Sequence, residues 1–127
     1  WVNSCHAILK SSTIDNAVKF FRKNQFKSMT AVIKKNTWFY DKYGKPINVK
    51  NPKDQVMSQK SNHVYEVCHA FHIFSKKHLF KKNTYWNNNK NDPYLYEIDL
   101  IEAIDIDNIH DFKISESVYK SLKIKKN

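Results

Sequence analysis

The stretch from Val64 to Phe74 constrains this chain most. It is rich in β-branched and aromatic residues and broadly apolar, which predicts a long strand covered on much of both faces. Such a strand needs helices or further sheet packed above and below it. Strand alternation places His69, Phe71 and Ile73 on one face, and Cys68, Ala70, His72 and Phe74 on the other.

The surrounding sequence supplies helices and strands in alternation. Ile14, Ala17, Val18 and Phe21 recur at helical spacing, with Phe20 widening the apolar face. They predict a helix from Ile14 to about Asn24, capped by Thr13 or Ser12. Met29, Ala31, Val32 and Ile33 read as a short strand. Trp38-Phe39-Tyr40 and Ile47-Asn48-Val49 read as two strands of a hairpin, turned by the residues from Asp41 to Pro46 around Gly44, the only glycine. Lys50 to Asn62 is polar and irregular. Ser75 to Phe80 reads as a short helix or turn, and Asn87 to Asp92 as a low-complexity loop closed by Pro93. Tyr94 to Ile98 and Glu102 to Ile106 read as extended segments, and a last helix starts near Ile109. The expectation is one α/β domain over residues 1–127, with a hairpin and arm excursion at about 36–62. Trp1-Val2-Asn3 reads as the end of a buried strand, so the chain is expected to be part of a longer polypeptide.

The net charge of +10 invites a nucleic-acid reading. Arg22 is the only arginine, however, and the lysines are scattered. Arginine is the usual bidentate reader of phosphates and guanine edges, so no nucleic-acid partner is expected. No apolar run reaches the length of a membrane span, and no segment has a signal-peptide layout. Cys5 and Cys68 are each followed by a histidine, His6 and His69, but no zinc-finger spacing is present. Buried, reduced thiols in a cytoplasmic protein are expected.

The chemistry concentrates near the C-terminus, in Ile104-Asp105-Ile106-Asp107-Asn108 followed by Asp111-Phe112-Lys113-Ile114 and Glu116. Apolar and acidic residues alternate with a strand period, and then Ile109, Phe112, Ile114 and Val118 take up a helical one. Alternate strand residues share a face at roughly 6–7 Å, so Asp105 and Asp107 would repel unless a cation lay between them. Mg²⁺ takes one or two carboxylates together with phosphate oxygens and water, which makes the pair a candidate metal and phosphate site. Helix capping is the plain alternative, with Asp107 or Asn108 as the cap and Asp111 in the first turn.

These segments, taken together, resemble a known family. Asn3-Ser4-Cys5-His6-Ala7-Ile8 and Thr13-Ile14-Asp15-Asn16-Ala17-Val18 resemble the segment that opens the second half of acylneuraminate cytidylyltransferases, the CMP-sialic acid synthetases. Tyr40-Asp41 with Gly44-Lys45-Pro46-Ile47-Asn48 resembles that family's hairpin. Ser58-Gln59 and Val64-Tyr65-Glu66 resemble its following arm, and Ala70-Phe71-His72-Ile73-Phe74 its next core strand. Ile104-Asp105-Ile106-Asp107 with Asp111-Phe112 and Glu116 resembles its closing acidic motif.

The resemblance implies a Rossmann-like nucleotide-sugar transferase sandwich, of which this chain is the C-terminal part. It implies transfer of CMP from CTP to a sialic-acid-like 2-keto sugar acid with release of pyrophosphate. It implies Mg²⁺ on Asp105 and Asp107, substrate contacts from Asn3, Gln59, His72, Tyr85 and Trp86, and a homodimer formed through the excursion. Ser4 and Ala7 stand where the family has prolines, Cys68-His69 where it has Asn-Gly, Met57 where arginine is common, and Asn108 where it has threonine. The family's Gly/Ser/Lys-rich CTP loop has no counterpart in these residues, so this fragment alone is expected to be inactive. The competing readings are a non-catalytic dimerising module and, behind it, a basic nucleic-acid-binding domain.

Overall fold

The structure, a computed structural model, describes residues 1–49, 51, 53 and 62–124. Among these it is a small mixed α/β arrangement of three helices and a three-stranded mixed sheet. In chain order the elements are α1 (Ser11–Asn24), β1 (Ser28–Lys35), β2 (Val64–Phe74), α2 (Lys76–Lys82), β3 (Tyr94–Glu97) and α3 (Ile109–Ile124). The chain divides into two compact units, one of Trp1–Ile33 with Val67–Asn127 and the other of Lys34–Glu66.

Sheet order is β2-β1-β3, with β1 parallel to β3 in the register Met29↔Tyr94 to Val32↔Glu97. This order decides where the core lies. The central β1 is flanked on both edges and buried continuously from Ser28 to Ile33. β2 is an edge strand, buried only at Ala70, Phe71 and His72, while its first half is exposed or half-buried. The expected coverage of β2 on both faces therefore holds only for its second half. The alternation also fails at His69, whose φ of 54° turns the backbone in mid-strand. That turn brings its ring to the His72 ring, although regular alternation puts residues three apart on opposite faces.

The core joins Ala17 of α1 to Met29, Ala31 and Ile33 of β1, Ala70 and Phe71 of β2, and Ile98. Ala17, Ala31 and Ala70 are fully buried, and methyl side chains at these points leave little to hold helix and sheet apart. Phe26 stacks on Tyr94 at 4.1 Å, and Phe20 packs against Tyr94 and Tyr96.

Helix α1 starts earlier than the sequence predicts. Its N-cap is Lys10, with no side-chain capping bond from the cap residue, Ser12 and Thr13 being already helical. The carboxylate of Glu102 takes that role from far along the chain, accepting from the Lys10 N–H at 3.3 Å and from Lys10 Nζ at 2.8 Å. Glu102 to Ile106 is not a strand. Glu102 and Ala103 fold back onto Asp99 in a tight turn, which takes their N–H groups out of any ladder.

In the unit Lys34–Glu66, the expected hairpin strands reduce to one isolated bridge, Tyr40↔Pro46. Asp41 Oδ1 accepts from the N–H groups of Tyr43 and Lys45, and Gly44 takes a φ of 80° to close the turn. Backbone bonds from Ile47 N–H to Phe39 and from Asp41 N–H to Lys45 still join the two arms, and buried Asn48 adds to them by accepting from Phe39 N–H and donating to the Thr37 and Asn62 carbonyls.

Candidate functional site

His72 is the centre of a side-chain cluster. It lies in the buried second half of β2, 2 % exposed, beside Thr30 of the central strand. Thr30 Oγ1 and His72 Nδ1 are 2.8 Å apart, and His72 Nε2 lies 3.1 Å from His69 Nδ1. Trp1 stacks on one side of the ring at 5.0 Å and 13°, and Tyr85 stacks at 5.7 Å and 17°. Trp86 meets the ring edge-on at 5.2 Å. Burial first, then neighbouring His69, push the His72 pKa down to about 4.

The loop that brings Tyr85 and Trp86 here is anchored at its far end. Asp92, buried beneath the asparagine-rich segment, accepts from the Ser28 hydroxyl at the start of β1 and from Asn87 Nδ2. Burial raises its carboxyl, and these hydrogen bonds outweigh that effect and hold it below the usual range. Ser75 caps α2 by accepting from His78 N–H, and Asn83 ends the helix in the left-handed region just before Tyr85. A cleft of about 410 Å³ opens there, lined by Leu79, Asn83, Thr84, Tyr85, Trp86 and Asn88.

The acidic pair sits in the irregular segment between the Asp99 turn and α3, and not at a strand end. Asn108 caps α3: its Oδ1 accepts from His110 and Asp111 N–H, and Asp111 Oδ2 accepts in return from Asp107 and Asn108 N–H. This reciprocal arrangement is a capping box. Asp105 Oδ1 accepts from Ile106 N–H and lies 3.6 Å from His6 Nδ1. His6 is buried, and neither ring nitrogen forms a hydrogen bond with the described residues. Asp107 is exposed, and no hydrogen bond or ion pair among the described residues engages its carboxylate. Among the described residues no three His, Cys, Asp or Glu side chains are grouped to hold a metal, so the Cys-His dipeptides do not assemble a four-ligand site.

Two of the expected residue sets are thus held by one segment. Trp1 exchanges backbone hydrogen bonds with His72, Val2 bridges Phe71, and Asn3 N–H donates to the Ala70 carbonyl. Asn3 Oδ1 closes a turn onto Cys5 N–H, the Cys5 carbonyl accepts from Ile106 N–H, and His6 reaches Asp105. Five peptide steps span at most roughly 18 Å, which bounds the backbone distance from Trp1, stacked on His72, to His6 beside Asp105. His72, Tyr85 and Trp86 converge, while Asn3 stands beside them with its side-chain oxygen taken up locally. Gln59 lies outside the described residues, as do Met57 and Ser58.

Sequence reasoning missed Trp1, Thr30, His69 and His6. Thr30 carried a signal, being a hydroxyl in the middle of an otherwise apolar run. His69 is marked in the sequence only through the Cys68-His69 pair, and alternation assigns it to the face opposite His72. Among the described residues no helix is long and apolar enough to cross a membrane. No family model and no curated protein matches the chain.

Proposed function

We propose that this chain is the C-terminal part of a cytidylyltransferase that transfers CMP from CTP to a sialic-acid-like 2-keto sugar acid and releases pyrophosphate. The observation that carries the reading is the Trp1–His6 segment, which ties the aromatic cluster at His72 to the acidic segment at Asp105 within one unit. A nucleotide-sugar reaction needs that pairing: a pocket for the sugar close to carboxylates that manage phosphate charge. The fold proposed with it is the Rossmann-like nucleotide-sugar transferase sandwich, supported by parallel β1 and β3 with α1 packed on them. The hairpin and arm excursion at about 36–62 is proposed as the homodimer contact.

Asp105 and Asp107 would hold Mg²⁺. Their donor set is two hard carboxylates, and Mg²⁺ is commonly bound by one or two such groups plus substrate phosphates, so a third protein ligand is not required. Asp107 is exposed and free of competing bonds among the described residues, which fits a ligand awaiting a cation. When bound, the ion supplies charge neutralisation on the triphosphate and orients the attacking and leaving oxygens. The chain's own residues do the rest. The cleft at Tyr85 and Trp86 offers aromatic faces beside Asn83, Thr84 and Asn88, the amide and hydroxyl chemistry that suits sugar hydroxyls. The capping box fixes the backbone beneath Asp107, so its carboxylate is presented from a rigid helix start.

The test is pyrophosphate release by the full-length protein with CTP, Mg²⁺ and a panel of sialic-type sugars. Asp107→Ala should lower kcat on the order of 10²-fold or more while leaving Tm unchanged, since its side chain supports no other group. Full activity in that variant would remove the metal assignment, and no release with any sugar would remove the reaction.

A further inference from the structure

His69 and His72 present two ring nitrogens to each other across 3.1 Å, with the rings crossed at 79°. The arrangement depends on the φ of 54° at His69. A non-glycine residue is strained in that region and persists there where the surroundings impose it, commonly at functional sites. We propose that His69 Nδ1 and His72 Nε2 form a two-imidazole site for a borderline divalent cation of the Zn²⁺, Ni²⁺ or Cu²⁺ class, separate from the acidic pair.

The spacing suits one cation. Two nitrogens each ~2.0–2.1 Å from the same ion lie roughly 2.9–3.4 Å apart for angles between octahedral and tetrahedral. The outer shell is already built. His72 Nδ1 meets the Thr30 hydroxyl at 2.8 Å, and a metal-bound histidine characteristically spends its second nitrogen on such a partner, which fixes tautomer and ring orientation. Trp1 and Tyr85 stack against the same ring and limit its rotation. With Nδ1–H of His72 donated to Thr30, the ion-free pair is joined by a hydrogen bond from His69 Nδ1–H to His72 Nε2; ion uptake breaks that bond and moves the His69 proton to its Nε2, which leaves a lone pair on each facing nitrogen. The neutral pair then takes up the ion through two coordinate bonds and releases no proton.

His69 is exposed, which gives the ion a way in. Imidazole pairs favour Zn²⁺, Ni²⁺ and Cu²⁺ over Mg²⁺, which selects oxygen donors, so the two sites take different ions. Two protein ligands leave coordination positions for water or an incoming donor.

The experiment is a Cu²⁺ titration of metal-stripped full-length protein followed by tryptophan fluorescence, with Zn²⁺ and Ni²⁺ as competitors. The rings of Trp1 and Trp86 lie 5.0 and 5.2 Å from that of His72, close enough for bound Cu²⁺ to quench them. Saturable quenching at one ion per chain is expected, reversed by Zn²⁺ or Ni²⁺ and unaffected by excess Mg²⁺. His69→Gly removes one ligand and relieves the positive φ, so it folds; it should weaken binding by about tenfold or more. Thr30→Val should weaken it by about 10–100-fold through the lost outer-shell contact. Unsaturable quenching, displacement by Mg²⁺, or an unchanged Kd in His69→Gly would each overturn the site. None of these outcomes touches the pyrophosphate assay, so the two proposals fail separately.

Discussion

Protonation of His72 should govern how the fold loses stability in mild acid. The ring is buried between Trp1 and Tyr85, and its pKa falls from 6.5 to about 4 on folding. Its folded pKa lies below the unfolded one, so the unfolded chain binds the extra proton first. The stability from a neutral His72 is fully present above 6.5 and is lost as pH falls from there toward 4. Linkage over the interval from about pH 7.5 to about pH 5 gives a loss of about 2 kcal/mol, or about 1 kcal/mol after allowance for solvent screening. The interval stops at about pH 5 because Asp92 and Glu102, both held below their ordinary values, begin to lose stability only beneath 3.8 and 4.5. The assay is urea unfolding followed by circular dichroism at several pH values, in wild type and His72→Phe. Phenylalanine keeps the stack and cannot titrate. It strands Thr30 Oγ1 and lowers absolute stability, so the quantity compared is the pH slope. The variant should lose about 1–2 kcal/mol less than wild type across the interval. Equal slopes would show that burial of this ring does not set its protonation.

Three further outcomes follow from single contacts. Glu102→Gln should destabilise by about 1–2 kcal/mol in chemical denaturation, because a neutral amide is a weaker acceptor for Lys10 and Thr13 at the start of α1. The same variant should flatten the stability profile below pH 4.5, where wild type protonates Glu102 and loses these bonds; a profile unchanged there would refute the capping role. Gln25→Gly should raise stability by about 0.5–1 kcal/mol, since Gln25 closes α1 at a φ of 54°, and a fall in Tm would contradict this.

What the sequence made legible was local. The strand at Met29–Ile33, the extent of Val64–Phe74 and the helix start at Ile109 all rest on periodicity and neighbouring cap chemistry, and the structure has them there. What it hid depends on partners distant in the chain. Glu102 caps α1 across 92 positions, and no window centred on Ser12 or Thr13 contains it. The apolar run of β2 could not reveal that β2 lies at the sheet edge, because composition reports a tendency to be covered and not which neighbour does the covering. The alternation of Ile104 to Asp107 suggested a strand, but a strand needs a partner edge, and Asp99 captures the preceding N–H groups first.

The acidic segment is where the expected local geometry and the observed one differ most. Strand alternation puts Asp105 and Asp107 on one face, and no strand forms there. Their difference comes from their surroundings. Asp105 is held by Ile106 N–H and faces buried His6, whereas Asp107 lies at the mouth of a capping box whose bonds are made by other atoms. The first is a fixed carboxylate and the second an uncommitted one on a fixed backbone. Rotation of the Asp107 side chain leaves helix α3 capped, because the cap is made by Asn108 and Asp111. The metal role proposed for Asp107 is therefore separable from helix stability in a variant, and that proposed for Asp105 is less so, because a change there also disturbs the contact with His6.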